Sequence, residues 1–195
     1  MKITTDLIKE LREKTGAGVV DIKKALEESQ GRQEKAVEIL RKKGEKIALK
    51  KEGRQTNQGL VMAYVHTNQR VAALVALTCE TDFVARNEEF KNLAHEIALQ
   101  VVAMSPQYLS PEEVPVEILN QEKEIMRAQL KGEGKPEKIW DKIIQGKLDK
   151  YYEEVCLLKQ PYIKDDKKTI EGLIKEKIIL LGENIRVKSI ARLSL

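Results

Sequence analysis

Two periods of apolar residues divide this chain. Thr5 or Asp6 can cap a first helix with Leu7, Ile8 and Leu11 on one face, ending at Thr15-Gly16-Ala17-Gly18, where Gly16 suits a left-handed turn. A second helix is predicted from about Val19 to Ser29, with Val19, Ile22 and Leu26 inward, broken by Gln30-Gly31. A third carries Ala36, Val37 and Leu40 inward and is expected to end near Gly44. Residues 1–44 thus read as a three-helix head, close to the lower size limit for independent folding. Residues 45–58 are basic, polar and free of aromatics, and read as a linker with at most a short helix around Ile47 to Lys51.

The period then becomes two. Leu60 to His66 is a strand candidate, Thr67-Asn68-Gln69 a turn, and Val71 to Leu77 a second strand, apolar at every position. Such a run predicts burial on both faces, although the pattern alone also admits a buried helix. Asn87 can cap the clearest helix of the chain, with Glu88 and Glu89 in its first turn and Phe90, Leu93, Ala94, Ile97, Ala98, Val101 and Val102 on one face. Beyond the Pro-rich loop at Pro106, Pro111 and Pro115 come two further helices. The first runs from Val116 to about Leu130, and the second starts at Pro136 and ends at Gly146. A short strand is expected near Val155 to Leu158, and a helix over Thr169 to Leu181. A terminal strand follows, in which Ile185 and Val187 alternate with Arg186 and Lys188, Ser189-Ile190 interrupts, and the pattern resumes at Ala191 and Leu193. The prediction for residues 59–195 is a small antiparallel sheet packed with helices, an α+β fold.

Composition narrows the function. Of 195 residues, 42% are apolar and 34% charged, a mix suited to amphipathic helices. No apolar run approaches the roughly 20 residues of a membrane helix, and the N-terminus lacks a signal core, so a cytoplasmic, membrane-free protein is expected. The 35 basic and 31 acidic residues are interspersed, apart from the basic run from Arg41 to Lys51. No aromatic interleaves with that run, which disfavours a base-stacking platform and hence nucleic acid as a partner. An RNA- or DNA-binding reading built on the head and this run predicts binding that weakens steeply with salt. No phosphate-binding loop or dinucleotide fingerprint is present, so direct nucleotide binding is not expected. His66 and His95 have no companion nucleophile, Cys79 and Cys156 lack metal-ligand spacing, and no catalytic residue, metal or cofactor is expected. The cysteines read as small apolar residues, a disulfide being the other possibility. Phe83 stands out as one of only two phenylalanines, at a junction between periodic elements and beside Asp82. On pattern alone it is either a core residue closing the sheet edge or an apolar group meant for a partner.

Two stretches carry a family resemblance. Thr15-Gly16-Ala17-Gly18-Val19-Val20-Asp21-Ile22-Lys23-Lys24-Ala25-Leu26 and Thr81-Asp82-Phe83-Val84-Ala85, in this order, resemble the signatures of the elongation factor Ts family. The likeness extends through Gln160-Pro161-Tyr162 to the terminal strand. It implies a head like a ubiquitin-associated domain and a guanine nucleotide exchange factor, not an enzyme, acting on elongation factor Tu in translation elongation. It also implies that Thr81, Asp82, Phe83 and Val84 wedge into that GTPase and dislocate its magnesium site, with GDP leaving so that GTP can bind. Leu11, Val19 and Val20 are then the candidates for the head's apolar contact. Val19 and Val20 stand where the family often has methionines. The chain resembles the short form, with room for one sheet-bearing half and no coiled-coil insertion. That form implies a homodimer formed through residues 59–195, and a heterotetramer with two elongation factor Tu chains.

Overall fold

Three amphipathic helices bury their stripes against one another at the N-terminal end of the computed structural model, which describes residues 3–195, residues 13 and 14 by backbone alone. Met1 and Lys2 of the expected head lie outside it. Helix α1 is Thr5–Thr15 and α2 is Val19–Glu28. The cap of α1 is Thr4, not Thr5 or Asp6; its hydroxyl oxygen accepts from the Leu7 N–H at 3.4 Å. Gly16 closes α1 in the left-handed conformation at φ 66° and donates its N–H to the Arg12 carbonyl. Leu11, Ile22, Leu26, Ala36 and Leu40 lie in the head's core.

The third helix does not stop at Gly44. Helix α3 runs Gln33–Glu52, and its buried positions Ala36, Leu40, Gly44 and Ala48 recur every fourth residue. Ala36 and Leu40 belong to the head's core, whereas Ala48 belongs to the main core. Most of the stretch that reads as a basic linker is therefore the last turns of a helix shared by two cores. Only residues 53–57 lie outside helix and strand before the sheet begins. Three of the cations here have partners within the fold. Lys43 pairs with Asp21 at 2.7 Å, and Lys51 donates to the Gly182 carbonyl. Lys42 pairs with Glu38 at 2.7 Å and holds that carboxyl below its ordinary range.

The main core is one antiparallel sheet with helices on one face. Strands β1 (Gln58–Val65) and β2 (Val71–Cys79) form the predicted hairpin. Next in the chain come α4 (Asp82–Ala85), α5 (Glu88–Met104), α6 (Val116–Gly132) and α7 (Trp140–Val155). The two-stranded ribbon β3 (Pro161–Tyr162) and β4 (Asp165–Thr169), helix α8 (Ile170–Leu181) and strand β5 (Ile185–Ser194) complete it. The sheet order is β1-β2-β5, so the terminal strand pairs with the hairpin and β2 is central. The Asn87 side chain accepts from the Glu89 N–H at 2.8 Å to start α5. The stripe of α5 from Phe90 to Val101 then packs on Ala73, Val75, Leu77 and Cys79 of β2.

Burial on both faces of β2 is not what the structure shows. Its inward residues alternate with Leu74, which is 50% exposed. Val61, Ala63 and Val65 lie opposite Ala76, Leu74 and Ala72, and these opposite Ser189, Ala191 and Leu193. Of these residues only Ser189 is polar, and no helix among the described residues covers the exposed Val61, Val65, Leu74 and Leu193. The interruption at Ser189-Ile190 is a bulge: Leu77 pairs with Val187 and Ala76 with Ser189, leaving Lys188 as the extra residue. The bulge puts Ala191 and Leu193 on the opposite face from Ile185 and Val187.

Two more expectations change. Helices α6 and α7 pack on each other through their own seam of Met126, Leu130, Ile144 and Leu148. Helix α7 passes through Gly146 to Val155, and Leu157–Lys159 is a 3-10 turn where a strand was expected. A single bridge pairs Cys156 with Tyr108 there. Buried Gln160 fixes this corner, donating to the Glu154 carbonyl at 2.9 Å and accepting from Gln100 Nε2 at 3.2 Å.

Candidate functional site

The chain's two phenylalanines have opposite fates. Phe90 is fully buried, whereas Phe83 is 82% exposed. An exposed phenyl ring forgoes roughly 1.5–3 kcal/mol of burial. Its position is not accidental looseness, because the backbone on either side is fixed. Strand β2 ends at Cys79, and α4 starts at Asp82 with Thr81 as its N-cap. Val84 and Ala85 pack against the main core, so α4 is seated by one side and presents Phe83 from the other. Asp82 is partly exposed and pairs with Arg86 at 3.0 Å, one turn along. The core reading of Phe83 is thereby excluded in this structure.

Bonds from distant residues hold the turn. The Glu183 carboxylate, just beyond α8, accepts from the Thr81 N–H at 2.9 Å, the Glu80 N–H at 3.1 Å and the Thr81 hydroxyl at 2.6 Å. In return the Glu80 carboxylate accepts from the Asn184 N–H at 2.7 Å. Within the turn, the Cys79 thiol donates to the Thr81 carbonyl at 3.1 Å. Burial pushes that thiol up to about 11 and the Cys156 thiol likewise to about 11, so both stay protonated near neutrality. Both are free and buried, which answers the disulfide alternative for this chain in the structure. Glu183 and Asn184 were not among the residues singled out from sequence. Thr81 and Glu183 lie 102 positions apart and share no motif.

The head presents a second apolar spot. Val19 and Val20 open α2 and are 39% and 65% exposed. The expectation that Val19 faces inward fails, because Ile22, Ala25 and Leu26 supply the buried positions of α2. Leu11 is completely buried in the head's core, so it supports this spot from within and has no surface to offer a partner. Val19 and Val20 remain as surface candidates, and Thr81, Asp82, Phe83 and Val84 share one rigid turn.

Other chemistry is sparse. Among the described residues, no group of three or more His, Cys, Asp or Glu side chains is placed to hold a metal ion. No helix among them is long and apolar enough to cross a membrane. His66 accepts or donates at Nδ1 with the Tyr64 hydroxyl at 3.1 Å, and His95 meets the Tyr64 ring edge-on. A cavity of about 400 Å³ lies between α3, α8 and β5, lined by Leu49, Leu109, Leu158, Ile174 and Ile185 among others.

Comparison with known proteins places the sequence in a family. The family model described as elongation factor TS matches residues 1–195. Elongation factor Ts of Thermotoga petrophila is 57% identical over 192 residues, covering 98% of this chain and 96% of that protein. The protein of the same name from Coprothermobacter proteolyticus is 53% identical over 195 residues, covering 100% of this chain and 99% of its own length. A third, from Maridesulfovibrio salexigens, is 52% identical over 195 residues, with 100% and 95% covered. Matched from end to end, with Phe83 projecting from the second of the two signature stretches, the chain belongs to the elongation factor Ts family of translation elongation factors.

Proposed function

We propose that this chain is the guanine nucleotide exchange factor for elongation factor Tu. The observation that carries the reading is Phe83, almost fully exposed on a turn whose backbone is held on both sides. Phe83 fills an apolar pocket of the GTPase, and Asp82 provides a carboxylate for hydrogen bonds at the wedge. Thr81 and Val84 set the wedge on the core. In such a GTPase the magnesium ion and the nucleotide phosphates hold each other in place. A wedge that disturbs one loosens the other, and GDP leaves. The factor needs only to bind the nucleotide-free partner better than the GDP-bound one, because coupling between two ligands is reciprocal. Val19 and Val20 give the head its own apolar contact, so affinity and displacement reside on separate surfaces.

The same reading makes the chain a cytoplasmic homodimer that takes two elongation factor Tu chains. Its support is the uncovered outer face of the sheet. Val61, Val65, Leu74 and Leu193 are all at least half exposed there, an apolar patch of the kind that marks an interface. A second copy laid on that face would bury in β2 the side that its continuous apolar run leads one to expect buried. The residues 59–195 would then serve as both core and dimerisation unit.

The deciding experiment follows release of a fluorescent GDP from elongation factor Tu with and without the chain. Acceleration supports the reading, and an unchanged release rate overturns it.

A further inference from the structure

The exchange reading leaves open what aims the wedge, and this inference rests on that reading. Phe83 has little contact of its own to fix its direction, being 82% exposed. Its direction comes from the backbone on either side: Val84 and Ala85 seat α4 on the main core, and the preceding turn sets how α4 enters that seat. At that turn a carboxylate from outside the segment takes three bonds: Glu183 accepts from the N–H groups of Glu80 and Thr81 at 3.1 and 2.9 Å and from the Thr81 hydroxyl at 2.6 Å. Bonds of N–H and O–H donors to an ionised carboxylate are roughly twice as strong as neutral ones. The next residue is Asp82, so these bonds set the angle at which α4 leaves the sheet.

The connection runs further. Asn184 is 2% exposed, and its side-chain amide donates to the Glu52 and Arg54 carbonyls at 3.2 and 2.8 Å, where α3 ends. Its N–H returns the bond to the Glu80 carboxylate at 2.7 Å. The wedge turn, the junction between α8 and β5, and the end of the helix that carries the head meet at this one corner.

We propose that Glu183 is a positioning residue for nucleotide exchange. Its carboxylate presets the direction of Asp82 and Phe83 before the partner arrives, and Asn184 ties that direction to α3 and so to the head. Presetting lowers the ordering cost that a mobile wedge would meet on binding. A purely structural Glu183 would instead stabilise the fold without regard to Phe83, and the two roles differ in one measurable way.

The test is a double-mutant cycle read by release of fluorescent GDP from elongation factor Tu, over a range of concentrations of the full chain. Wild type, Glu183→Ala, Phe83→Ala and the double variant are compared. Glu183→Ala is expected to lower the maximal release rate about tenfold, and in the Phe83→Ala background to lower it less than about twofold, as for coupled neighbours. The concentration for half-maximal release, set largely by the head, is expected to move less than the rate. Glu183→Gln keeps an oxygen for both N–H groups and is expected to recover most of the rate. If Glu183→Ala does not fold by circular dichroism, Glu183→Asp enters the same cycle, keeping the charge but losing the reach to both arms. Effects that multiply independently overturn the positioning role and leave the exchange reading intact. So does a Glu183→Ala chain as fast as wild type beside an impaired Phe83→Ala chain. A wild-type chain that leaves release unchanged overturns the exchange reading itself.

Discussion

A Cβ placed on Gly44 would lie 2.3 Å from Ile179 Cδ1, so α3 and α8 approach at Gly44 closely enough that the Ile179 side chain must shift to admit even a methyl group. This glycine is the point where the helix shared by both cores passes the main core. The Ile179 atom it meets is the tip of a flexible side chain, which separates two substitutions. Gly44→Ala is expected to be tolerated, because the tip can rotate and an interior helical Ala gains up to about 1 kcal/mol over Gly. Gly44→Leu cannot be accommodated by one rotamer and should cost about 1–3 kcal/mol through overpacking. Urea denaturation followed by circular dichroism checks both. A Leu variant as stable as wild type would show that the approach of α3 to α8 contributes nothing.

Gly44 also shows why the sequence misleads at this place. A glycine after a helical run reads as a stop, and the residues that follow are basic, so a linker is the natural reading. The buried positions of α3 from Gly44 onward are small residues, Gly44 and Ala48, whose apolar signal is too weak to show a stripe. The strongly periodic elements were legible: the hairpin, α5 with its Asn87 cap, α8 and the terminal strand all stand where the period puts them. Periodicity could not tell which face of β2 stays open, because apolar residues line both sides of that strand. For the site, the exposed Phe83 was legible as an oddity of placement. The bonds from Glu183 were not, since tertiary folding alone brings positions 81 and 183 together. Leu11 misled for the opposite reason: a residue inside a recognised neighbourhood is fully buried.

The two phenylalanines predict contrasting variants. Phe83→Ala removes a ring that packs on almost nothing, so stability should stay within about 0.5 kcal/mol, as for other surface changes. Its exchange activity should fall at least about tenfold, equivalent to about 1.4 kcal/mol of lost transition-state stabilisation. Phe90→Ala empties a site packed between α5 and the sheet and should cost about 3–5 kcal/mol of stability. Urea melts and GDP-release rates measured on the same samples separate the two. Loss of the fold in Phe83→Ala would return that ring to a core role.

The outer sheet face predicts a change of oligomeric state. Leu74 lies at its centre, on the middle strand, opposite Ala63 on one side and Ala191 on the other. Leu74→Glu puts a carboxylate in the middle of any interface formed there and should turn a dimer into a folded monomer, since burying an unpaired charge costs several kcal/mol. Light scattering reads the mass, and circular dichroism checks that the monomer remains folded. A variant that stays dimeric would move the interface elsewhere.

Acid should loosen the corner between α5 and the β3-β4 ribbon. Glu96 accepts from the Tyr162 hydroxyl at 2.6 Å and from Lys164 Nζ at 2.6 Å. Burial tends to raise its pKa, but the Lys164 and Tyr162 bonds together outweigh this and hold the carboxyl below its ordinary value. Burial, then the bond to Glu96, pushes the Tyr162 hydroxyl the other way, so it remains a donor throughout. A carboxyl with a lowered folded pKa binds fewer protons in the native state than in the unfolded one. Its stabilisation is therefore fully present above the unfolded value of about 4.3 and is lost as pH falls through the lower folded value. Glu96→Gln should destabilise the chain at pH 7 by about 1–2 kcal/mol, the range for a hydrogen bond to a charged group. The difference between wild type and variant should then shrink as pH falls below that unfolded value. Urea denaturation at a series of pH values between neutrality and pH 3 tests the sign. A gap that stays constant over that range would mean that the Glu96 charge plays no part in holding the ribbon to α5.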